Sequence, residues 1–468
     1  MFDNLLNIQN TLYMLISFVV LFFGTIINFA FMGLLNKKSQ IISNIITVSV
    51  LTSSIILQLP VLAEFLFTNN ADAISILNGN IAFGALETAF CILTQTTILF
   101  AFLISLKHLK QLRFKQHYFN TLYLCCALSA NILFSSKGFL PFMLSLEAIS
   151  ACTLFIILAF KNREIFYSAY KFILFSLGSC ALMILSYGVL NIADTKNTVI
   201  LTIFSTLFLS SVILKGAFAF IFTRDGQGFL KYNFPSFVFL NTVVFTIYCS
   251  IFTKIFNDVI PLAPVTRAFF IILLIIGLPF IALKIPRAKT YSSFLFSLNS
   301  LNFCIITPGF FIGTAAVNKA SIFLLTNTVI STLALLCAFA IFDINKKDCL
   351  KLKCFESIYY KNPFYATFLS ITLFISAGFI PSGIIAARYQ MSLALFQTGL
   401  WSTLANAFML ISYIILAYAV IKFVNIIYKK PHRGDNFEKI ALKKRMKLSY
   451  SILSLLVILS ITLCFISL

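Results

Sequence analysis

Apolar segments long enough to cross a bilayer recur along the whole chain, and the polar segments between them are short. Of the 468 residues, 60% are hydrophobic and only 10% are charged, whereas a soluble domain has roughly 45–50% apolar and about 25% charged residues. A water-soluble core of this length cannot bury so much apolar surface. Because a membrane helix needs about 20 apolar residues, the sequence predicts an all-α polytopic membrane protein.

Hydropathy and loop composition predict about fourteen transmembrane helices, which we number in chain order. The predicted spans lie at 11–34, 41–67, 81–106, 118–134, 139–160, 165–190, 198–222, 234–255, 266–285, 291–313, 319–342, 363–386, 399–421 and 447–468. The longest polar segments are 343–362 and 428–446, and neither is long enough for a soluble domain. We expect 428–446 to form a basic connector into the last span.

Basic residues are distributed unevenly between the loops. Of the 35 lysines and arginines, 27 lie in odd-numbered loops or at the span ends next to them, five in the N-terminus and even-numbered loops or at the span ends next to them, and three (Lys171, Lys215 and Arg388) within a span or at its edge. Since cytoplasmic loops carry the excess of Lys and Arg, we expect the odd-numbered loops to be cytoplasmic and both termini to be non-cytoplasmic. These loops also explain the net charge of +21, so nucleic-acid binding is not expected.

Histidines and cysteines are not arranged as cofactor ligands. The three histidines, His108, His117 and His432, lie in polar segments, whereas a haem or copper centre in a helical bundle needs paired imidazoles inside the spans. The eleven cysteines lie mostly in apolar runs without metal-ligand spacing, and we expect them to pack as small hydrophobic side chains. We therefore expect no redox centre, metal or cofactor in this chain.

Four ionisable residues lie inside predicted spans or, for Arg388, two residues beyond the end of one, where charge is costly: Glu147, Lys171, Lys215 and Arg388. Glu147 can exchange a proton, or it can be a neutral acid that is hydrogen-bonded to a neighbouring helix. Lys171 lies about two turns into the sixth span, from where its side chain can also extend to the interface. Arg388 can hold a charge but hardly carry a proton, because a guanidinium almost never deprotonates.

Lys215 gives the strongest signal because apolar residues flank it on both sides. Desolvation favours the neutral form of a lysine amine, which brings its proton within reach of exchange. The alternative is an ammonium group fixed in a structural ion pair. Glu64 and Glu87 lie near the non-cytoplasmic ends of the second and third spans, and we expect them to be interfacial.

The order and spacing of these residues resemble those of the antiporter-like membrane subunits of respiratory complex I (NADH–quinone oxidoreductase) and of related multisubunit cation/proton antiporters. Glu147 and, 24 residues further on, Lys171 are similar to the family's glutamate–lysine pair on spans five and six. Lys215-Gly-Ala-Phe resembles the lysine motif of its broken seventh helix. Residues 287–293 resemble the entrance to the tenth span, and residues 362–389 resemble the broken twelfth helix.

The resemblance implies two inverted five-helix repeats, spans four to eight and nine to thirteen, each with a broken helix (seven and twelve) and a half-channel near the midplane. It also implies a line of one glutamate and three basic residues that carries protons, and here that relay is Glu147, Lys171, Lys215 and Arg388. The implied domains are 1–117 with spans one to three, 118–255 with the first repeat, 256–427 with the second repeat, and 428–468 with the connector and the last span.

The sequence departs from the family pattern at three places. Ala219-Phe220-Ile221 stands where the family usually has Pro-Phe-His after the lysine of the seventh helix. The basic residue expected in the eighth span falls near Phe245, and Arg388 stands in place of the lysine of the twelfth helix. The first half of the relay is therefore kept, while its central lysine is missing and its last lysine is replaced.

We expect a proton-translocating subunit of a complex I-type enzyme in a bacterial inner (plasma) membrane, assembled with other membrane subunits. The chain would be at most one subunit of an NADH:quinone oxidoreductase, since it carries no redox centre of its own. The alternatives are a non-conducting structural paralogue, a subunit of a multisubunit Na⁺/H⁺ antiporter, and an independent flippase or solute exporter, for which we recognise no lipid-headgroup site. Polar continuity from Lys215 past Phe245 to Arg388 would favour conduction, and a dry gap filled with phenylalanine would favour the structural role.

The charge distribution predicts where a reporter fused after Leu468 will lie. With fourteen spans and basic odd-numbered loops, alkaline phosphatase at this position should be active and green fluorescent protein should be dark. The same reporters fused after Tyr428 should give the opposite result, because that loop is expected to be cytoplasmic. Fluorescence without phosphatase activity after Leu468 would contradict the helix count.

Overall fold

In the computed structural model, the described residues are almost entirely helical. They are 2–31, 37–68, 74–76, 81–109, 116–159, 163–192, 198–220, 234–254, 264–312, 315–341, 351–379, 381–396, 400–430 and 447–467. The chain divides into two compact units. The first unit is Met1–Lys215 with Asn233–Pro261, and the second is Gly216–Tyr232 with Leu262–Leu468.

The first unit is a bundle of long apolar helices. In chain order they are α1 (Phe2–Phe31), α2 (Lys37–Thr68), α3 (Ala85–Leu109), α4 (Gln116–Ser135), α5 (Phe139–Leu158), α6 (Arg163–Ile192), α7 (Thr198–Phe220, in this unit as far as Lys215), α8 (Phe234–Phe239) and α9 (Phe245–Lys254), with a π-helical segment at Leu240–Val244 between the last two. Helix α4 packs against α1 and α5, and α8 packs against α3. Gly24 allows a close approach of α1 to α2, since a Cβ atom there would lie 2.7 Å from the methyl groups of Val50.

A short strand pair precedes α3. Strand β1 (Ile74–Ile76) is antiparallel to β2 (Ile81–Phe83), so the third predicted span begins as a helix only at Ala85. The side chains of Met14, Val61, Phe65 and Phe83 form an apolar cluster around β2. This pair is the one departure from the predicted all-α fold in the part of the chain that the structure describes.

The second unit is built around one central helix, α12. Its helices are α10 (Pro264–Ala282), α11 (Tyr291–Ile312), α12 (Ala315–Ile341), α13 (Ile358–Lys361), α14 (Pro363–Ala377), α15 (Gly383–Phe396), α16 (Leu400–Tyr428) and α17 (Lys447–Ser467), with a 3₁₀ turn at Leu352–Phe355. Helix α12 packs against α11, α14, α15 and α17, and all its residues from Ser331 to Ile341 are buried.

A helix lies at each of the fourteen predicted spans. Within the described residues, nine of the helices are long and apolar enough to cross a membrane, and α7, α14 and α17 contain shorter apolar segments. The chain is therefore a multi-pass membrane protein, as predicted. The number of crossings, the inverted repeats and the domain limits stay predictions.

The twelfth predicted span is broken, as expected. Asn362 caps the start of α14 by accepting a hydrogen bond from the backbone N–H of Tyr365 at 2.9 Å, and Pro363 fits the first helical position. The helix ends at Gly378, which has a φ of 78°, a conformation that glycine adopts without strain. Pro381 follows before α15 begins.

Two further predictions fall wholly or partly outside the described residues. Helix α7 is continuous through Lys215 to Phe220, so the described part of the seventh span shows no break, and residues 221–233, which follow it, lie outside the described part of the chain. Residues 431–446, which form most of the predicted basic connector and contain His432, lie outside it as well.

Candidate functional site

An ion pair between Glu147 and Lys215 lies inside the first unit. Glu147 is more than two turns from the start of α5, and Lys215 is more than four turns from the start of α7. The ammonium group of Lys215 donates a hydrogen bond to Oε1 of Glu147. The Lys215 side chain is 1% exposed and that of Glu147 is 29% exposed. The carboxylate therefore compensates a buried cation while keeping one edge accessible.

Two polar side chains from other helices approach this pair. The thiol of Cys180, on α6, lies against Glu147. Tyr248, on α9, is fully buried and lies within electrostatic range of Glu147. Glu147 is thus in contact with α7 through Lys215 and with α6 through Cys180, and the Tyr248 hydroxyl on α9 is a further buried polar group within its electrostatic range.

In the eighth span, Phe245 is buried at the position where the family pattern expects a basic residue. Several polar side chains of this span bond to their own helix: Asn241 to the carbonyl of Phe237 at 2.9 Å, Thr242 to Val238 at 2.7 Å, and Thr246 to Thr242 at 2.7 Å. These groups satisfy the backbone around the π-helical segment, a kind of irregularity that is frequent at functional sites. They offer little to a neighbouring proton carrier.

Tyr248 is the residue that the sequence reasoning missed. It lies three residues after Phe245, so both side chains are on the same face of α9. A hydroxyl-bearing residue within one turn of the missing basic position is the signal that could have identified it. Neither its burial nor its approach to Glu147 on α5 is visible in the sequence.

Lys171, unlike Lys215, is not buried. Its side chain is exposed on α6, a helix that packs against α5. The structure brings Glu147 together with Lys215, which is 68 residues away along the chain. The coupling of Glu147 to Lys171 that the resemblance implies stays a prediction.

Arg388, in the second unit, is compensated without a carboxylate. It is 6% exposed, and Nη1 donates to the carbonyl of Ala377 at the end of α14. Its guanidinium lies 4.1 Å from the ring centroid of Tyr413, and among the described residues no acid forms an ion pair with it. The negative end of the helix dipole and the aromatic face both favour a cation here. An apolar cavity of about 550 Å³ opens beside it.

The two other acids singled out from the sequence have structural partners. Glu64 accepts a hydrogen bond from Nδ2 of Asn10 at 2.8 Å, which joins α2 to α1. Glu87 is in the first turn of α3 and accepts from the backbone N–H of Gly84 at 3.1 Å. This is half of a capping box, so Glu87 stabilises the start of its helix.

The described residues contain no group of three or more His, Cys, Asp or Glu side chains that could hold a metal ion. His117 Nε2 lies 3.3 Å from the hydroxyl of Ser39, and the ring of His108 packs at 4.5 Å from that of Phe234. These two histidines have different neighbours and do not face one another as a pair of ligands would. The chemistry that the site offers is proton exchange between a carboxylate, an amine and hydroxyl groups.

Comparison with known proteins identifies the fold. No protein-family model and no curated protein matches the sequence. A chain of respiratory complex I from Thermus thermophilus, solved with bound aureothin, superposes with a TM-score of 0.71 at 15% identity over 96% of both chains. A chain of the membrane-bound sulfane sulfur reductase, an archaeal respiratory membrane complex, gives 0.76 at 13% identity over 98% of this chain and 96% of that one.

A chain of the Mrp complex from Dietzia sp. DQ12-45-1b gives a TM-score of 0.72 at 13% identity over 98% of this chain and 94% of that chain. Because these alignments cover nearly the full length of each chain, the whole fold is shared and not only a helical substructure. The resemblance drawn from the sequence is thereby confirmed for the fold.

A double-mutant cycle should show how strongly Glu147 and Lys215 depend on each other. Glu147→Gln leaves a buried ammonium unpaired, which should lower the free energy of unfolding by up to about 3–5 kcal/mol. Glu147→Gln with Lys215→Met should cost less than the sum of the two single changes. The measurement is unfolding in detergent micelles.

The pair Glu356 and Lys429 is the matched control for this cycle. These side chains are 32% and 55% exposed and are joined at 2.6 Å, so their coupling should be only about 0–1 kcal/mol. If the effects of the Glu147 and Lys215 substitutions on the free energy of unfolding are strictly additive, the two side chains do not stabilise each other.

Proposed function

We propose that this chain is a proton-translocating subunit of a membrane complex of the complex I or multisubunit antiporter type. The single observation that supports the proposal best is the buried Glu147–Lys215 ion pair, within a fold shared with chains of two respiratory complexes and an Mrp complex. Its partners are then other membrane subunits, and its location is a bacterial inner membrane with both termini on the non-cytoplasmic side.

The ion pair couples the position of a charge to the position of a proton. The ammonium group of Lys215 is stable in its apolar surroundings only while a carboxylate faces it. When Glu147 takes up a proton through its exposed edge, Lys215 loses its counter-charge, and release of the ammonium proton restores a neutral interior. One proton is taken up and one is released, and a neighbouring subunit that moves a charge can bias this two-state element.

Tyr248 provides a way for that proton to continue without a lysine at position 245. A tyrosine hydroxyl both donates and accepts hydrogen bonds, so it can pass a proton on while remaining neutral. Phe245 has no such group. In this proposal the route in the first unit therefore runs from Glu147 and Lys215 to Tyr248.

Arg388 has an electrostatic role in the same proposal. A guanidinium keeps its proton, and this one is bonded to the carbonyl that ends α14. It supplies a fixed positive charge at the break of the twelfth span, while the protons move on other groups. Lys171 is the remaining member of the proposed relay, and it stands at the exposed face of α6.

A non-conducting structural subunit is the second candidate. Two observations favour it: every residue from Phe234 to Phe252 is buried, and Arg388 is fixed by Ala377 and Tyr413. Both would suit a chain that keeps the fold of a translocator but fills its path with apolar side chains. Transport measurements on variants of the relay residues separate the two candidates.

Lys215→Met should abolish proton translocation while the chain still inserts and assembles, because a neutral side chain of similar length removes the desolvation cost. Lys215→Arg should fail too, since arginine does not release its proton. The measurement is proton pumping in vesicles that contain each variant with its full set of partner subunits. Lys319→Met, at an exposed lysine of α12, is the control and should pump normally.

Wild-type pumping by the Lys215→Met variant would exclude the relay and favour the structural role. If the wild-type complex pumps protons only when sodium is present, the result would favour the alternative that this chain is a subunit of a Na⁺/H⁺ antiporter. Both results are read in the same vesicles.

Tyr248→Phe should slow translocation several-fold, because the variant keeps the ring and its packing but loses the hydroxyl that lies within electrostatic range of Glu147. Tyr123→Phe is the matched control: Tyr123 is equally buried in the same unit, and its hydroxyl lies 3.5 Å from that of Ser105. Equal rates in both variants would show that the proton does not pass through Tyr248.

A further inference from the structure

We propose that the second unit binds an anionic phospholipid at a cavity lined by three lysines. The cavity has a volume of about 600 Å³ and lies between the segment that joins α10 to α11, the start of the 3₁₀ turn and the last third of α16. Lys289, Lys351 and Lys422 line it, one from each of these segments. We call it the lysine cavity.

Backbone and side-chain hydrogen bonds hold the three segments together. The backbone N–H of Leu352 donates to the carbonyl of Lys289 at 3.0 Å, and Thr290 forms an antiparallel bridge with Lys351. Nζ of Lys422 donates to the carbonyl of Pro286 at 3.0 Å. Defined contacts therefore bring the three lysines to one cavity, although they come from distant parts of the chain.

The described lining of the lysine cavity contains three basic side chains and no acidic one. The acid that follows soon after Lys351 in the chain, Glu356, pairs with Lys429 outside the lining. Each ammonium has three donors, so Lys422 keeps two after bonding to Pro286. Neighbouring cations repel one another, and an anion in the cavity would relieve that repulsion.

The walls of the lysine cavity are apolar, which favours a lipid over a soluble anion. Ile285, Phe294 and Phe423 line it beside the lysines. Exposed apolar side chains continue from it along two helices that pack against each other. They are Ile276 and Phe280 on α10, Leu283 just beyond it, and Ile414, Tyr418 and Ile421 on α16.

Along each helix, these exposed residues are spaced at i, i+4 and i+7, so they form one face. A phosphate group held by the lysines would place its acyl chains on these two faces. A free phosphate would interact with the lysines only and would leave the apolar walls uncovered.

The location agrees with this occupant. The three lysines come from loops nine and eleven and from the end of span thirteen, on the side that the charge distribution assigns to the cytoplasm. Basic pockets between membrane helices on that side suit anionic headgroups. The phosphodiester of a lipid such as phosphatidylglycerol has the required charge and the two chains that the exposed faces would cover.

The test compares two triple variants with the same change of charge. One is Lys289→Gln with Lys351→Gln and Lys422→Gln; the other is Lys284→Gln with Arg287→Gln and Lys430→Gln, which are exposed residues outside the lining. Each assembled complex is placed in phosphatidylcholine vesicles that contain spin-labelled phosphatidylglycerol. Loss of the three cavity lysines should weaken binding on the order of a hundredfold, while the control triple should bind like the wild type.

Equal loss of binding in both triple variants, or full binding without the cavity lysines, would overturn the proposal. Displacement of the labelled lipid by excess inorganic phosphate would show instead a site for a free anion. Cross-linking from position 289 to an acidic segment of another subunit, in place of lipid, would assign the cavity to a protein partner. If the triple variant does not assemble, Lys289→Gln alone should still weaken binding, and Lys289→Arg should restore it.

Discussion

A buried ammonium group is the constraint on which the first unit depends. Lys215 lies inside an apolar bundle, where its charge is tolerated only because Glu147 on another helix accepts its hydrogen bond. This requirement fixes the approach of α5 to α7. The carboxylate partner is itself only partly buried, since the side chain of Glu147 is 29% exposed.

The second unit also contains a buried cation, and its charge is compensated in a different way. Arg388 is as deeply buried as Lys215, but its compensation comes from the carbonyl end of α14 and the face of Tyr413. Gly378 makes this possible, because a Cβ atom at that position would lie 2.7 Å from Nη1 of Arg388. A carboxylate can change its protonation state, whereas a helix end and an aromatic ring cannot. In the proposed function the two buried cations therefore have different roles, proton exchange at Lys215 and a constant charge at Arg388.

Between a conducting and a structural subunit, the eighth span is the decisive element. Its buried threonines and asparagine are bonded to their own backbone, and Phe245 fills the position where a basic residue was expected. Tyr248 restores one exchangeable group on the same helical face. In the proposed route, transport through this span depends on a neutral hydroxyl, so the loss of that single oxygen atom should slow it.

The sequence by itself determined the membrane class, the positions of the helices and the break in the twelfth span. These follow from hydropathy and from the backbone preferences of residues such as Gly378 and Pro381, which are local properties. Only the tertiary structure decided that Glu147 pairs with Lys215, that the buried Tyr248 lies within electrostatic range of Glu147, and that Lys289, Lys351 and Lys422 line one cavity. Apolar helices are chemically alike along the sequence, so hydropathy places them in the bilayer but does not specify which faces pack together. That choice depends on side-chain shape and on the need of each buried charge for a partner.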